Sequence, residues 1–290
     1  MNFLKTVGCI ALSGIMSSVA LAEGQSAILE KLYVDSGLEL LINFLPISVR
    51  EGIENERTSI APDDSVPEEF WQYLLDKVDV DFSSDGMKRI IMEDLKDGMT
   101  DEEISKNIEW LNTPLGRKTK QISETVYSTE GSEKLDKCIS ELATDSIGDI
   151  SPDEEQRVEQ VKALDELLQS TEVGLELIKT MQVAIATAGN LSLPNQLLLP
   201  IEEIAEPFDL FIDTIRQSLK VYTQSSYICM FESLSNAEMD GYIKELETPH
   251  STSFYQAMVK GLRQALFNSS FAFGESVVEI SKQLEDHQEI

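Results

Sequence analysis

Met99-Thr-Asp-Glu-Glu-Ile-Ser-Lys-Asn-Ile-Glu-Trp-Leu-Asn-Thr-Pro114 and Leu234-Ser-Asn-Ala-Glu-Met-Asp-Gly-Tyr-Ile-Lys-Glu-Leu-Glu-Thr-Pro249 align without gaps at an offset of 135. Glu103/Glu238, Ile108/Ile243, Leu111/Leu246, Thr113/Thr248 and Pro114/Pro249 are identical pairs. Each stretch has a helix start, an apolar face and a stop. Thr100 with Glu103, and Ser235 with Glu238, have capping-box spacing: a hydroxyl for a first-turn amide and a carboxylate reaching back. Ile104, Ile108, Leu111 and Leu115 then share one helical face, as do Met239, Tyr242, Ile243 and Leu246. Pro114 and Pro249 end the element, because the residue before a proline is pushed out of α geometry. The expected unit is a short capped helix, a Thr-Pro corner and a further helix.

Working outward, Gly37-Leu38-Glu39-Leu40-Leu41 matches Gly174-Leu175-Glu176-Leu177-Ile178 at an offset of 137. Two matches in the same order, at nearly one offset, give two copies, residues 23–150 and 151–290. The rest of the chain has helical period. Apolar faces predict helices over 26–45 and 68–78, around Met87–Leu95 and around Leu135–Leu142. Ser151-Pro-Asp-Glu154 predicts a helix start, with the helix running into the 180s, and Phe208 to Tyr222 predicts one long helix. Loops are expected at about 57–67 and 189–201. No segment sustains period-2 alternation, so the expected fold is all-α, two tandem, internally duplicated helical bundles.

Thr100, Glu103, Trp110, Leu111, Thr113, Pro114, Gly116 and Lys118 make a Thr-Asp-Glu-Glu helix followed by a Thr-Pro-x-Gly-x-Lys corner. This pattern resembles a helical domain-of-unknown-function family of exported Gram-negative bacterial proteins. The second copy departs from it, with His250-Ser-Thr252 in place of Leu115-Gly-Arg117. The resemblance implies a location and a fold class and carries no catalytic residue onto this chain.

Residues 1–22 have the order of a secretory signal peptide: Lys5, an apolar stretch, then Ala20-Leu21-Ala22 as the cleavage site. The expected location is periplasmic, with secretion as the alternative. The mature chain has no other apolar stretch long enough to span a bilayer. With 23 Lys+Arg against 52 Asp+Glu, the net charge of −29 repels phosphate, which excludes nucleic acid as a partner class. The same field favours a basic partner, and apolar grooves between bundles favour an apolar one.

Beyond the leader, Cys138 and Cys229 are the cysteines. An oxidising compartment permits a disulfide between them; two buried free thiols are an equal alternative, and a zinc site with His250 a distant third. Nucleophile elbows, phosphate-binding loops and dinucleotide fingerprints are absent, and no cofactor is implied. His250 could serve as a base, but no Ser/Asp pattern surrounds it. Asp81, Ser83, Asp85 and Gly86 fit the first half of a calcium loop, but Met92 occupies the closing position, so an Asp-rich turn capping the next helix is the better reading. No metal is expected. Trp110, whose counterpart is Glu245, marks a candidate partner patch. The chain reads as a non-catalytic binding or structural module of the cell envelope. The alternative is a carboxylate-based envelope hydrolase, which a cleft with two close acids of raised pKa would favour.

Overall fold

The computed structural model describes residues 26–59, 67–144, 151–191 and 199–288. The expected leader, residues 1–22, and the middle of both expected loops lie outside them. The described residues are helical throughout, with no strand: α1 (Ser26–Asp35), α2 (Leu38–Ser59), α3 (Glu68–Asp81), α4 (Ser84–Gly98), α5 (Asp101–Leu111), α6 (Pro114–Val126), α7 (Thr129–Thr144), α8 (Pro152–Leu168), α9 (Ser170–Leu191), α10 (Ile201–Asp209), α11 (Ile212–Met230), α12 (Asn236–Leu246) and α13 (Pro249–Gln288). The protein is all-α.

Local chemistry sets the helix starts. Thr100, Ser151 and Ser235 each accept from the amide three residues on, while Glu103, Glu154 and Glu238 each accept their cap's own amide at 2.8 Å. Thr113 caps α6 with Pro114 in its first turn, where the missing N–H costs nothing. Three expected helices are broken. The one over 26–45 divides at Gly37, whose φ of 81° is open to glycine, and its second part runs on to residue 59. The helix from Ser151 stops at Gln169, which adopts φ 49°. Phe208–Tyr222 breaks after Asp209, leaving Leu210 75% and Phe211 64% exposed.

The expected separation into one bundle per half is not how the side chains pack. α13 has 40 residues, about 60 Å at 1.5 Å per residue, and outreaches any bundle of the shorter helices. It lies mainly along α9 and α4 and also covers α3 and α5. One core therefore mixes Leu32, Ile42, Val78, Ile91 and Ile104 from the first half with Leu262, Ala265 and Phe273 from the second. A smaller core around Val161, Leu164, Phe231, Leu234 and Met239 recruits Leu115 and Ile122 of α6.

The exchange is reciprocal. Lys118 of α6 donates to both oxygens of Glu238 on α12, at 2.9 and 2.8 Å. Ser253 of α13 donates to Glu103 on α5 at 2.6 Å. Lys118 and Ser253 are 135 positions apart, as are Glu103 and Glu238. The Lys118 ammonium, then the Ser235 cap, holds the Glu238 carboxyl down at about 2. A depressed carboxyl contributes its stability above its ordinary range near 4.5 and loses it as pH falls from there through about 2. Between pH 4.5 and 2 the melting temperature should therefore fall more steeply in the native protein than in Glu238→Gln, as read by circular dichroism. Equal slopes would remove this ion pair from the account of acid stability.

Among the described residues no single helix is long and apolar enough to cross a membrane. α1 and α2 pass that test only as a pair bent by 60°. Their Leu29, Leu32, Tyr33, Leu38 and Ile42 are core residues.

Candidate functional site

Among the described residues, a mostly apolar groove lies between helices of both halves. α2 supplies Leu45, Val49, Gly52 and Ile53 at helical spacing, α3 adds Trp71 and Leu74, α9 adds Met181, and α13 forms the floor with Leu266 and Phe273. Its volume is about 460 Å³, within the range of ligand pockets. Ser48 and Glu56 are its polar lining. Trp71 is half-buried and meets Phe70 edge-on at 5.4 Å. A Cβ on Gly52 would have no heavy atom within 4 Å, so the α2 wall stands open there. The two walling helices also carry exposed Glu51, Glu54, Glu56, Glu68 and Glu69. Arg57 pairs with Glu68 at 2.6 Å and Arg50 with Asp79 at 3.0 Å, so the cations on this wall are engaged.

A second hollow, about 450 Å³, lies between α6, α7 and the end of α11. Cys138 and Cys229 line it, joined by a disulfide with Cα atoms 6.0 Å apart.

The structure places the other candidates elsewhere. Trp110 does not head an open patch: it is half-buried and stacks on Tyr242 of α12, centroids 6.0 Å apart, so its ring is spent joining the halves. Burial pushes the Tyr242 hydroxyl up to about 12. His250 Nε2 lies 2.9 Å from Glu245 and 3.3 Å from Thr248 Oγ1. The nearby Ser251 hydroxyl donates toward Glu245 at 3.4 Å rather than to the imidazole, so no serine–histidine–acid relay forms there. Asp81 accepts from Ser276 at 2.8 Å and Ser83 caps α4, so the acidic turn is engaged in packing and capping.

Each carboxyl among the described residues whose pKa moves, moves down: Asp35, Glu102, Glu103, Glu130, Glu154 and Glu238. Their partners are lysines, hydroxyls and capped amides, the pattern of structural carboxylates. A general acid poised near neutrality needs the opposite shift.

The groove escaped the sequence reading because four helices from both halves build it. The available signal was Leu45, Val49, Gly52 and Ile53, one helical face that starts at the expected end of its helix and runs on past it. No protein-family model, curated protein or solved structure matches the chain.

Proposed function

We propose that the chain is an exported, non-catalytic binding module of the cell envelope, and that its groove between α2, α3, α9 and α13 holds a basic amphipathic helix of a partner protein. The observation that carries this is an apolar channel walled by helices rich in exposed glutamates. A helix laid in such a channel anchors apolar side chains at every third or fourth position, while its flanking Lys or Arg meet Glu56 on the wall and the acidic surface of α2 and α3 beyond it. The net charge of −29 draws such a partner in and repels acidic ones. Residues 1–22 support export. The matched motifs and the reciprocal Lys118–Glu238 and Ser253–Glu103 contacts support descent from a doubled unit, each copy lending its Thr-Pro helix to the other.

Trp71 lines the groove, so a Trp110→Phe background makes it the sole reporter. A Leu/Lys amphipathic peptide should change Trp71 emission and bind, by anisotropy, more weakly as salt rises. Gly52→Leu fills the open wall of an exposed helix and should weaken binding roughly tenfold or more, about 1.4 kcal/mol. A Leu/Glu peptide of the same pattern should not bind. Equal binding of both peptides, or none of the loss in Gly52→Leu, would sink the reading.

A further inference from the structure

We propose that the Cys138–Cys229 disulfide is a thiol-exchange site, and that its reduction by a dithiol releases α7 as a unit while the two cores stay folded. The bond joins the middle of α7 to the last turn of α11 across 91 positions of sequence. What it holds down is an element otherwise weakly attached. α7 contributes no side chain to either core, and its ion pairs Lys134–Glu130 and Lys137–Glu141 lie within the helix itself. Among the described residues its packing is mainly against α6 and α11.

α7 is also jointed. It is separated from α6 at Tyr127-Ser128, where the Ser128 hydroxyl accepts from the Gly131 amide at 3.1 Å. The second half has no such joint: α13 runs unbroken through the equivalent positions and buries Leu262, Ala265, Leu266 and Phe273. So the same stretch of the repeat is a core helix in one half and, in the other, an outer helix set off by a close-packed corner and tied by a covalent bond.

The sulfurs can be reached. Both cysteines line the 450 Å³ hollow, together with apolar Ile122, Val126, Leu135 and Met230 and the charged Lys118, Lys134 and Glu232. Cys229 is 8% exposed and Cys138 more open, which makes the Cys138 sulfur the point of attack. A reductant thiolate attacks Cys138 Sγ, the S–S bond breaks, and Cys229 leaves as a thiolate that takes a proton from water. The reductant's second thiol loses its proton and attacks the mixed disulfide, freeing Cys138, which is protonated in turn. Two electrons and two protons pass from the dithiol, which ends as a disulfide.

The test is dithiothreitol treatment of the folded chain without denaturant. Peptide mapping after maleimide labelling reads the two cysteines, and hydrogen exchange reads the helices. The expected result is both thiols labelled and α7 amides exchanging roughly tenfold faster or more, with α4 and α13 unchanged. Cys138→Ala/Cys229→Ala should show the same pattern without reductant; if that variant fails to fold, the reduced native chain still decides. The proposal is overturned if both cysteines label before reduction or resist it in the folded protein. It is equally overturned if α7 stays protected once reduced, or if α4 and α13 open with it.

Discussion

Gly116→Ala is expected to lower the thermal midpoint by roughly 5–10 °C, about 2–3 kcal/mol of stability for a chain of this size. The sign is not obvious, because alanine is the better helix former by up to about 1 kcal/mol. Packing decides against it. A Cβ at Gly116 would stand 2.2 Å from the Trp110 carbonyl oxygen and 2.8 Å from the Leu111 Cα, both backbone atoms of α5. That carbonyl is held by the Thr113 amide at 2.8 Å and the Thr113 hydroxyl at 2.7 Å, so the α5–α6 corner cannot yield without losing its cap. Such overpacking typically costs about 1–3 kcal/mol, and here it adds a loosened corner. Gly52→Ala is the control. Gly52 is exposed in mid-helix with open space around its Cα, so propensity alone acts and the variant should gain up to about 1 kcal/mol. A Gly116→Ala protein that melts with the native one would show that the close approach is absent.

The corner illustrates what the chain discloses before it folds. Capping boxes and Thr-Pro stops are local: the donor, the acceptor and the blocked amide lie within four residues, so Thr100–Glu103, Ser151–Glu154 and Ser235–Glu238 could be read directly. Period without strands likewise gave the all-α class. The breaks were less legible. Nothing in Gln169 announces a left-handed backbone, and the spacing of Leu164 and Leu168 continues smoothly past it. At Pro46 the failure runs the other way. A helix-interior proline deprives the Ile42 carbonyl of its helical donor, yet α2 continues and Ser84 Oγ lies 3.5 Å from that oxygen. The tertiary partner of that carbonyl is 42 positions away from Ile42. The groove lies on that continuation, which is why its α2 wall was missed. Packing between the halves was the least legible feature. Ile104 and Leu262 look alike as core residues, and periodicity says which face is buried but not against which helix. The reciprocal contacts of Glu103 and Glu238 needed coordinates, although the repeat had already placed both glutamates in equivalent caps.

Arg157→Ala should shift the urea midpoint downward by an amount equivalent to about 2–4 kcal/mol, with an unchanged slope. The guanidinium sits where α8 meets the turn between α11 and α12. It donates to the Phe231 carbonyl and to Asn236 Oδ1, each at 3.1 Å, and to the Leu234 carbonyl. Phe231 and Leu234 are both buried, so the turn cannot swing out to recover water on these carbonyls. Hydrogen bonds to charged groups contribute about 1.5–3 kcal/mol each, and three on one fork are not additive. Burial pulls the guanidinium below its ordinary range while Asp240 opposes this, so the charge itself is expensive to place and geometry must repay it. Arg157→Lys separates the two contributions. A lysine keeps the charge but cannot reach three diverging acceptors, so it should recover less than half of the loss. Asn236 ties the same turn to α8 through the Asp153 carbonyl at 3.1 Å, so Asn236→Ala should cost less in the Arg157→Ala background than alone. Full stability in Arg157→Lys, or strictly additive losses in the double variant, would mean that the fork does not organise this turn. The first turn of α12 would then have to be held by its capping box, the Lys118–Glu238 pair and the bonds of Asn236 and Gln160 across to α8.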